Sequence, residues 1–142
     1  PKELIRLQRR ELFRLATPTT KPLACEMLVP NAINEQFKDS LNLHLVDISL
    51  GGIGVVVVKA LHPSIKVGAV FDGCKIQFPE LGSSSLKLEV RNILPVNAVN
   101  TMQKYRVGLS YVGLSRANES IIHKYTYNLE RELLKAKNAH RF

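Results

Sequence analysis

The chain has 142 residues, of which 45% are hydrophobic and 23% are charged, and its formal net charge is +8. This length suits one domain with a buried core, and a mean hydropathy of -0.03 is ordinary for a globular fold that is soluble in water. The longest apolar stretches, such as residues 53–58, are too short to cross a bilayer, and no secretory signal pattern is present. The positive charge favours a polyanionic partner: nucleic acid, a nucleotide or an acidic protein surface.

The chain begins with a basic arm. Residues 1–8 predict an arm with some helical turns, because Leu4 and Leu7 lie at helical spacing. Residues 1–21 contain the basic residues Lys2, Arg6, Arg9, Arg10, Arg14 and Lys21, against the acidic Glu3 and Glu11. We expect residues 1–9 to be an arm or a linker to a preceding domain, and residues 10–142 to form the domain itself.

Short segments with strand character follow the arm. They are residues 12–16, 23–29, 41–48, 53–58, 70–78, 86–90 and 105–112. In one of them Leu41, Leu43 and Leu45 alternate with polar residues, which is the pattern of a half-buried strand. No helical stretch separates the strands, and the connections are short, so we expect antiparallel pairing. The pattern predicts a small β-barrel or sandwich.

The composition changes after Gly113, where a helix is predicted. Ser115 can cap this helix at its N-terminus, and Arg131 and Lys135 suit the dipole at its C-terminal end. Apolar residues recur at helical spacing at Ile121, Ile122, Tyr125, Leu129 and Leu133. We therefore expect the barrel to extend to about residue 115 and the helix to cover about residues 116–137.

An arginine cluster precedes the first strand. Arg10 and Arg14 are four residues apart, and guanidinium groups remain charged, donate in a planar fork and stack on aromatic rings. The O6 and N7 atoms of guanine accept a bidentate arginine, so the pair can clamp a phosphate and a guanine from one flexible loop. The alternative is that the cluster only solvates an exposed arm, since two arginines at this spacing often occur by chance.

A second motif contains an acid, a hydroxyl and two glycines, at Asp47, Ser49, Gly51 and Gly52. On a strand, Asp47 and Ser49 would project to the same face because they are two residues apart. A carboxylate accepts the N1 and N2 hydrogens of guanine, and a hydroxyl can serve base or phosphate. The glycines would allow a left-handed turn and a close approach of the backbone to the ligand. The alternative is a hairpin turn in which the acid and the hydroxyl bond local amides.

Together the two motifs resemble the RxxxR and DxSxxG signature of PilZ domains, which bind the bacterial second messenger cyclic di-GMP. Residues 8–14 are similar to the Gln-Arg-Arg-Glu-x-Phe-Arg segment that precedes the barrel in C-terminal PilZ domains of the flagellar brake family. The resemblance covers nearly the whole chain, including residues 107–111 and 129–132. It implies a mainly β fold, a six-stranded antiparallel barrel of the split-barrel type with a C-terminal helix. The ligand-binding residues that it implies are Arg10, Arg14, Asp47, Ser49 and Gly52, with Gly51 beside them.

Arg9 adds an expectation about the number of ligands. Family members with an arginine at this position tend to bind an intercalated dimer of cyclic di-GMP, so the resemblance implies that Arg9 binds ligand and that each chain holds two molecules. The alternative is that Arg9 points to solvent.

The resemblance also implies a switch without catalysis. The arm would become ordered on the ligand, reorient any domain that precedes residue 1 and expose a surface for a flagellar motor protein. This places the protein in the bacterial cytoplasm, with recruitment to the flagellar basal body. The apolar stripe of the C-terminal helix is available to pack on its own barrel or on a second chain in a homodimer.

Three other functions compete with this one. A basic barrel that binds single-stranded nucleic acid would need exposed aromatic residues on a strand face, yet aromatic content is 6% and Trp is absent. A scaffold with a degenerate motif would not keep both signatures intact. For an enzyme, no catalytic set or metal-ligand spacing is visible, and the Gly52-Ile53-Gly54 run precedes a strand, unlike a dinucleotide fingerprint. Cys25 and Cys74 form no CxxC pair, and we expect reduced, buried thiols.

Overall fold

The structure, a computed structural model, describes residues 13–58, 60–96 and 103–139. Within those ranges the chain forms seven strands and a helix. They are β1 (Leu15–Ala16), β2 (Ala24–Pro30), β3 (Lys38–Ile48), β4 (Gly52–Val58), β5 (Val70–Phe78), β6 (Gly82–Val96), β7 (Lys104–Tyr111) and α1 (Arg116–Ala139). The predicted strand at 70–78 has the observed bounds, whereas the predicted strand at 86–90 is only the middle of β6.

The strands form a closed barrel. Neighbours are antiparallel in the order β1-β3-β2-β5-β6-β7-β4, and an additional pairing between β3 and β4 closes the ring. The short strand β1 is the exception, since it pairs only with the end of β3, where β2 no longer reaches. The predicted fold class is therefore confirmed: a six-stranded antiparallel barrel, here with one extra strand, and a C-terminal helix.

The core follows from alternation along the strands. In β2, in residues 74–78 of β5 and in residues 84–90 of β6, every second residue is buried, and a bulge between Phe71 and Cys74 interrupts the alternation in β5. The buried residues of these strands include Cys25, Met27, Val29, Cys74, Ile76, Phe78, Leu86, Leu88 and Val90. Both cysteines are buried and not in a disulfide, as predicted.

The helix α1 covers one side of the barrel with its first half. Its cap is as predicted, because the Ser115 hydroxyl accepts the Asn118 N–H at 3.1 Å. Ile122 and Leu129 are buried, and the Tyr125 ring lies 5.1 Å from the ring of Phe78. Leu133, at the end of the predicted apolar stripe, is 40% exposed. No helix in the described ranges combines the length and apolar character that a membrane crossing requires.

Candidate functional site

A β-bulge near the end of β3 turns Asp47 away from the core. Leu45 pairs with Val55, but Asp47 pairs with Gly54, so Val46 is an extra residue in the ladder. Without the bulge, the period of two would place Asp47 on the same face as the buried Leu45. A bulge inserts one residue and re-aims the side chains that follow it. The carboxylate of Asp47 is thereby directed to the outer face of the barrel.

The Asp47 carboxylate lies between two guanidinium groups. Its Oδ1 accepts a hydrogen bond from Arg14 Nη1 at 2.8 Å, and its Oδ2 accepts one from Arg106 Nη2 at 2.7 Å. The carboxylate side chain is 18% exposed, against 37% for Arg14 and 25% for Arg106. The Asp47 carboxylate therefore accepts a charge-assisted hydrogen bond on each oxygen and stays partly open to solvent.

Two glycines make room for this cluster. Asp47 pairs with Gly54 on β4, and Gly54 pairs with Gly108 on β7, so the three residues lie in a row across the outer face. Arg106 is two residues from Gly108 and projects to the same face, over Gly54, to reach the acid. A Cβ atom on Gly54 would lie 2.5 Å from Asp47 Oδ1 and 2.6 Å from Arg106 Nη2. A side chain at this position would therefore displace the ion pair that crosses the strand.

Ser49 does not share a strand face with Asp47. That prediction is wrong because β3 ends at Ile48, and the buried Ser49 belongs to the turn that follows. Its hydroxyl oxygen accepts the N–H groups of Gly51 and Gly52, each at 3.1 Å, and its own N–H donates to the Gly52 carbonyl at 2.8 Å. The hydroxyl therefore closes a tight turn next to the acid, which is the local arrangement considered above as the alternative.

Packing against β7 requires a glycine at position 52. Gly51 and Gly52 do not have the positive φ values found at Gly68, Gly73, Gly82 and Gly113, so this turn does not use the left-handed geometry that glycine would allow. A Cβ atom on Gly52 would overlap the backbone carbonyl of Leu109 on the neighbouring strand. The turn is thus pressed against β7, and a larger residue at position 52 would push the two strands apart.

Tyr111 supports the turn from β7. Its hydroxyl donates to the Ser49 carbonyl at 3.2 Å, and its N–H donates to the Gly51 carbonyl at 3.1 Å. Burial raises the pKa of Tyr111, and the nearby Arg14 guanidinium opposes that shift. The phenol keeps its proton at neutral pH and stays a donor. Tyr111 therefore holds the turn in place from the neighbouring strand β7.

The structure brings together part of the predicted site. Arg14, Asp47, Ser49, Gly51 and Gly52 lie at one end of the barrel, whereas Arg9 and Arg10 fall outside the described residues. The sequence patterns missed Arg106 and Tyr111, which come from a strand more than fifty residues further along the chain. Gly54, two residues after Gly52, was the one local sign that a side chain crosses β4.

Two features that bear on the competing functions can be examined in the described residues. Their exposed aromatic side chains include Phe13, Phe37 and Tyr127, which lie before β1, before β3 and on α1 and so form no stacking row on a strand face. Within the same ranges, no group of three or more His, Cys, Asp or Glu side chains is placed to hold a metal ion.

Comparison with known proteins identifies the family. The model of the PilZ domain matches residues 8–128, which include both motifs and the whole barrel. The chain belongs to the PilZ domain family. Two curated relatives are named flagellar brake protein YcgR: that of Methylotenera mobilis is 46% identical over 134 residues, and that of Azoarcus sp. is 36% identical over 134 residues. These alignments cover 94% and 93% of this chain but 53% and 50% of the relatives, so this PilZ chain spans about half the length of the curated relatives it matches.

Solved structures share the PilZ fold with this chain. The PilZ domain with c-di-GMP of YcgR from Escherichia coli has a TM-score of 0.72 and 21% sequence identity, over 89% of this chain and 95% of that chain. The structure of K. pneumonia MrkH in its apo state has a TM-score of 0.70 and 18% identity, over 89% of this chain and 52% of that chain. At these identities the likeness is one of fold.

Proposed function

We propose that this PilZ domain is a receptor for cyclic di-GMP that binds the dinucleotide without catalysing a reaction and takes part in the control of flagellar motility. The observation that carries the proposal is the Asp47 carboxylate on the outer face of the barrel, held between Arg14, the last residue of the RxxxR motif, and Arg106. The names of the relatives and the c-di-GMP in the E. coli PilZ structure support the same ligand and pathway.

The arrangement suggests an exchange mechanism. The N1 and N2 hydrogens of a guanine replace the Arg14 guanidinium at the Asp47 carboxylate, and the released Arg14 moves with Arg10 to a phosphate or to the Hoogsteen edge of guanine. A partly exposed ion pair contributes little to stability, about 0–1 kcal/mol, so it can be exchanged at small cost. Ser49, Gly51 and Gly52 form the turn on which the base lies.

Arg9 sets the number of ligands in this proposal. Its guanidinium contacts a second cyclic di-GMP molecule that is intercalated with the first, giving two molecules per chain. Calorimetric titration should then saturate at two ligands for the wild type and at one for Arg9→Ala. Saturation of the wild type at one ligand would contradict this role of Arg9.

The same proposal extends to the way in which ligand binding is passed on to a partner protein. Residues 1–9 act as an arm or interdomain linker, residues 10–142 as the PilZ domain, and ordering of the arm on the ligand turns binding into a change of domain orientation. The partner is a flagellar motor component at the basal body, reached from the cytoplasm. Leu133 and Leu134, which are exposed on α1, offer an apolar surface for a homodimer.

One titration tests the ligand and the site together. Cyclic di-GMP is titrated into the wild type, Arg14→Ala and Asp47→Ala, with Arg91→Ala as a matched control, because Arg91 is exposed and pairs only locally with Glu89 at 3.0 Å. We expect binding to fall by about tenfold or more in the two site variants and to be unchanged in the control. Undiminished binding in both site variants would remove the site assignment. Thermal stabilisation by a single-stranded oligonucleotide but not by cyclic di-GMP would favour the nucleic-acid alternative.

A further inference from the structure

The two arginines that hold Asp47 are anchored very differently. Arg14 directly precedes β1, which has two residues and, among the described residues, pairs with β3 alone. Arg106 lies within β7, which is paired on one side with β4 and on the other with β6. A residue in the middle of a sheet is held by both neighbouring ladders, so Arg106 has far less freedom to move when a ligand arrives. Arg14 is the exchangeable partner, and Arg106 is the fixed one.

Each oxygen of the Asp47 carboxylate is bonded to one of these two arginines. Arg106 occupies Oδ2 at 2.7 Å and Arg14 occupies Oδ1 at 2.8 Å. Each carboxylate oxygen has two acceptor sites, so the Arg106 bond still leaves Oδ2 able to accept from a second donor. Once Arg14 has moved away, the carboxylate can receive two parallel N–H groups while Arg106 remains in place. A guanine edge presents two such groups, whereas adenine presents an acceptor at N1.

We propose that Arg106 is a positioning residue for guanine recognition: it holds the Asp47 carboxylate, through Oδ2 and across Gly54, in the orientation that receives the guanine edge. This inference rests on the proposed function. Arg106 also keeps a positive charge beside the acid after a base covers it, and a buried carboxylate without a cation or donor is costly. Arg106 thus acts on the ligand through Asp47.

The test is a double-mutant cycle on affinity. Binding of cyclic di-GMP is measured for the wild type, Arg106→Ala, Asp47→Asn and the double variant, with Arg91→Ala as the control. We expect Arg106→Ala to weaken binding about tenfold in the wild-type background and less than about twofold in the Asp47→Asn background, because the residue that it positions no longer carries the charge. Arg106→Lys should recover only part of the loss, since lysine lacks the planar fork.

The preference for guanine over adenine distinguishes a positioning role of Arg106 from a purely structural one. The affinity ratio of cyclic di-GMP to cyclic di-AMP should fall in Arg106→Ala, while the thermal midpoint without ligand changes little. Gly54→Ala provides a variant that keeps every charge, because its Cβ would press on both Asp47 and Arg106. We expect it to weaken cyclic di-GMP binding by about fivefold or more, and it takes the place of Arg106→Ala if that variant does not fold.

The outcomes are distinct. If Arg106→Ala folds and binds cyclic di-GMP with the same affinity as the wild type, the role of Arg106 is overturned and the receptor proposal stands. Equal losses in the wild-type and Asp47→Asn backgrounds would mean that Arg106 touches the ligand directly, which would also overturn positioning. A wild type that does not bind cyclic di-GMP at all would overturn the proposed function and, with it, this inference.

Discussion

Two carboxylates on one strand, near opposite ends of β3, are held in contrasting ways. Asp39 Oδ1 accepts from the Asn31 amide and Asp39 Oδ2 from His62 Nε2, both at 2.9 Å. Asp47 has both oxygens bonded as well, but its donors are the guanidinium groups of Arg14 and Arg106. The two acids therefore have the same number of partners and differ in the charge and anchoring of those partners.

This difference indicates which of the two acids can bind a ligand. The Ser64 N–H donates to His62 Nδ1 at 3.1 Å, so the ring proton is on Nε2 and His62 donates to Asp39 as a neutral imidazole. Asn31, the other partner, also closes a local turn by accepting from the N–H groups of Ile33 and Asn34. Asp39 thus fastens two loops with neutral donors. Asp47 is held by cations, one of them next to an edge strand, and a ligand can take the place of that cation.

The largest expected effect is the contrast between the two acids in ligand binding. Asp47→Ala removes the acceptor of the guanine edge and leaves two guanidinium groups without their shared partner, so we expect affinity for cyclic di-GMP to fall by about 100-fold or more. Asp39→Ala should change affinity by less than about twofold, because its partners lie at the other end of β3. Calorimetry on both variants checks this. Equal losses would mean that the Asp39 network also supports the site.

Most of the barrel could be predicted because one face of each strand is buried. Strand character closed by Pro79 and Gly82 located β5 at its observed bounds, and the capping serine located the start of α1. The second half of β6 could not be found this way, because residues 91–96 are largely exposed and show no apolar period. They form a strand because they pair with β7, from Asn92 opposite Gly108 to Val96 opposite Lys104. Such pairing has no local signature.

The candidate site could be predicted in its motifs but not in its geometry. The bulge at Val46 reverses the face of Asp47, and period-two reasoning cannot anticipate an extra residue. Arg106 meets Asp47 only because the barrel closes, so no spacing along the chain relates them. Gly54 carried part of that information, since a glycine inside a β-branched run indicates a close approach by another group. That approach turned out to be the Arg106–Asp47 pair.

A smaller contrast concerns the turns beside the two acids. Ser49→Ala leaves the N–H groups of Gly51 and Gly52 without their acceptor in a largely buried turn, and we expect the free energy of unfolding to fall by about 2 kcal/mol. Asn31→Ala removes two comparable bonds from an exposed turn and also the amide bond to Asp39, but water can replace all three, so it should cost only about 0.5 kcal/mol. Urea denaturation of both variants measures the difference. A larger loss for Asn31→Ala would contradict the idea that the Ser49 hydroxyl is the principal support of its turn.

The smallest expected effect is a pH dependence of folding stability that arises from Asp39. The hydrogen bond from Asn31, followed by that from His62, lowers the pKa of Asp39 below its unfolded value of about 3.9. A lowered pKa contributes stability above the unfolded value, and that contribution is lost as the pH falls through the folded pKa. The thermal midpoint of the wild type should therefore exceed that of Asp39→Asn by a margin that is constant near neutral pH and shrinks below about pH 4. The margin should be small, because Asp39 is open to solvent and salt. Asn31→Ala should weaken this dependence, since it removes the principal cause of the shift, and a margin that grows on acidification would contradict the assignment.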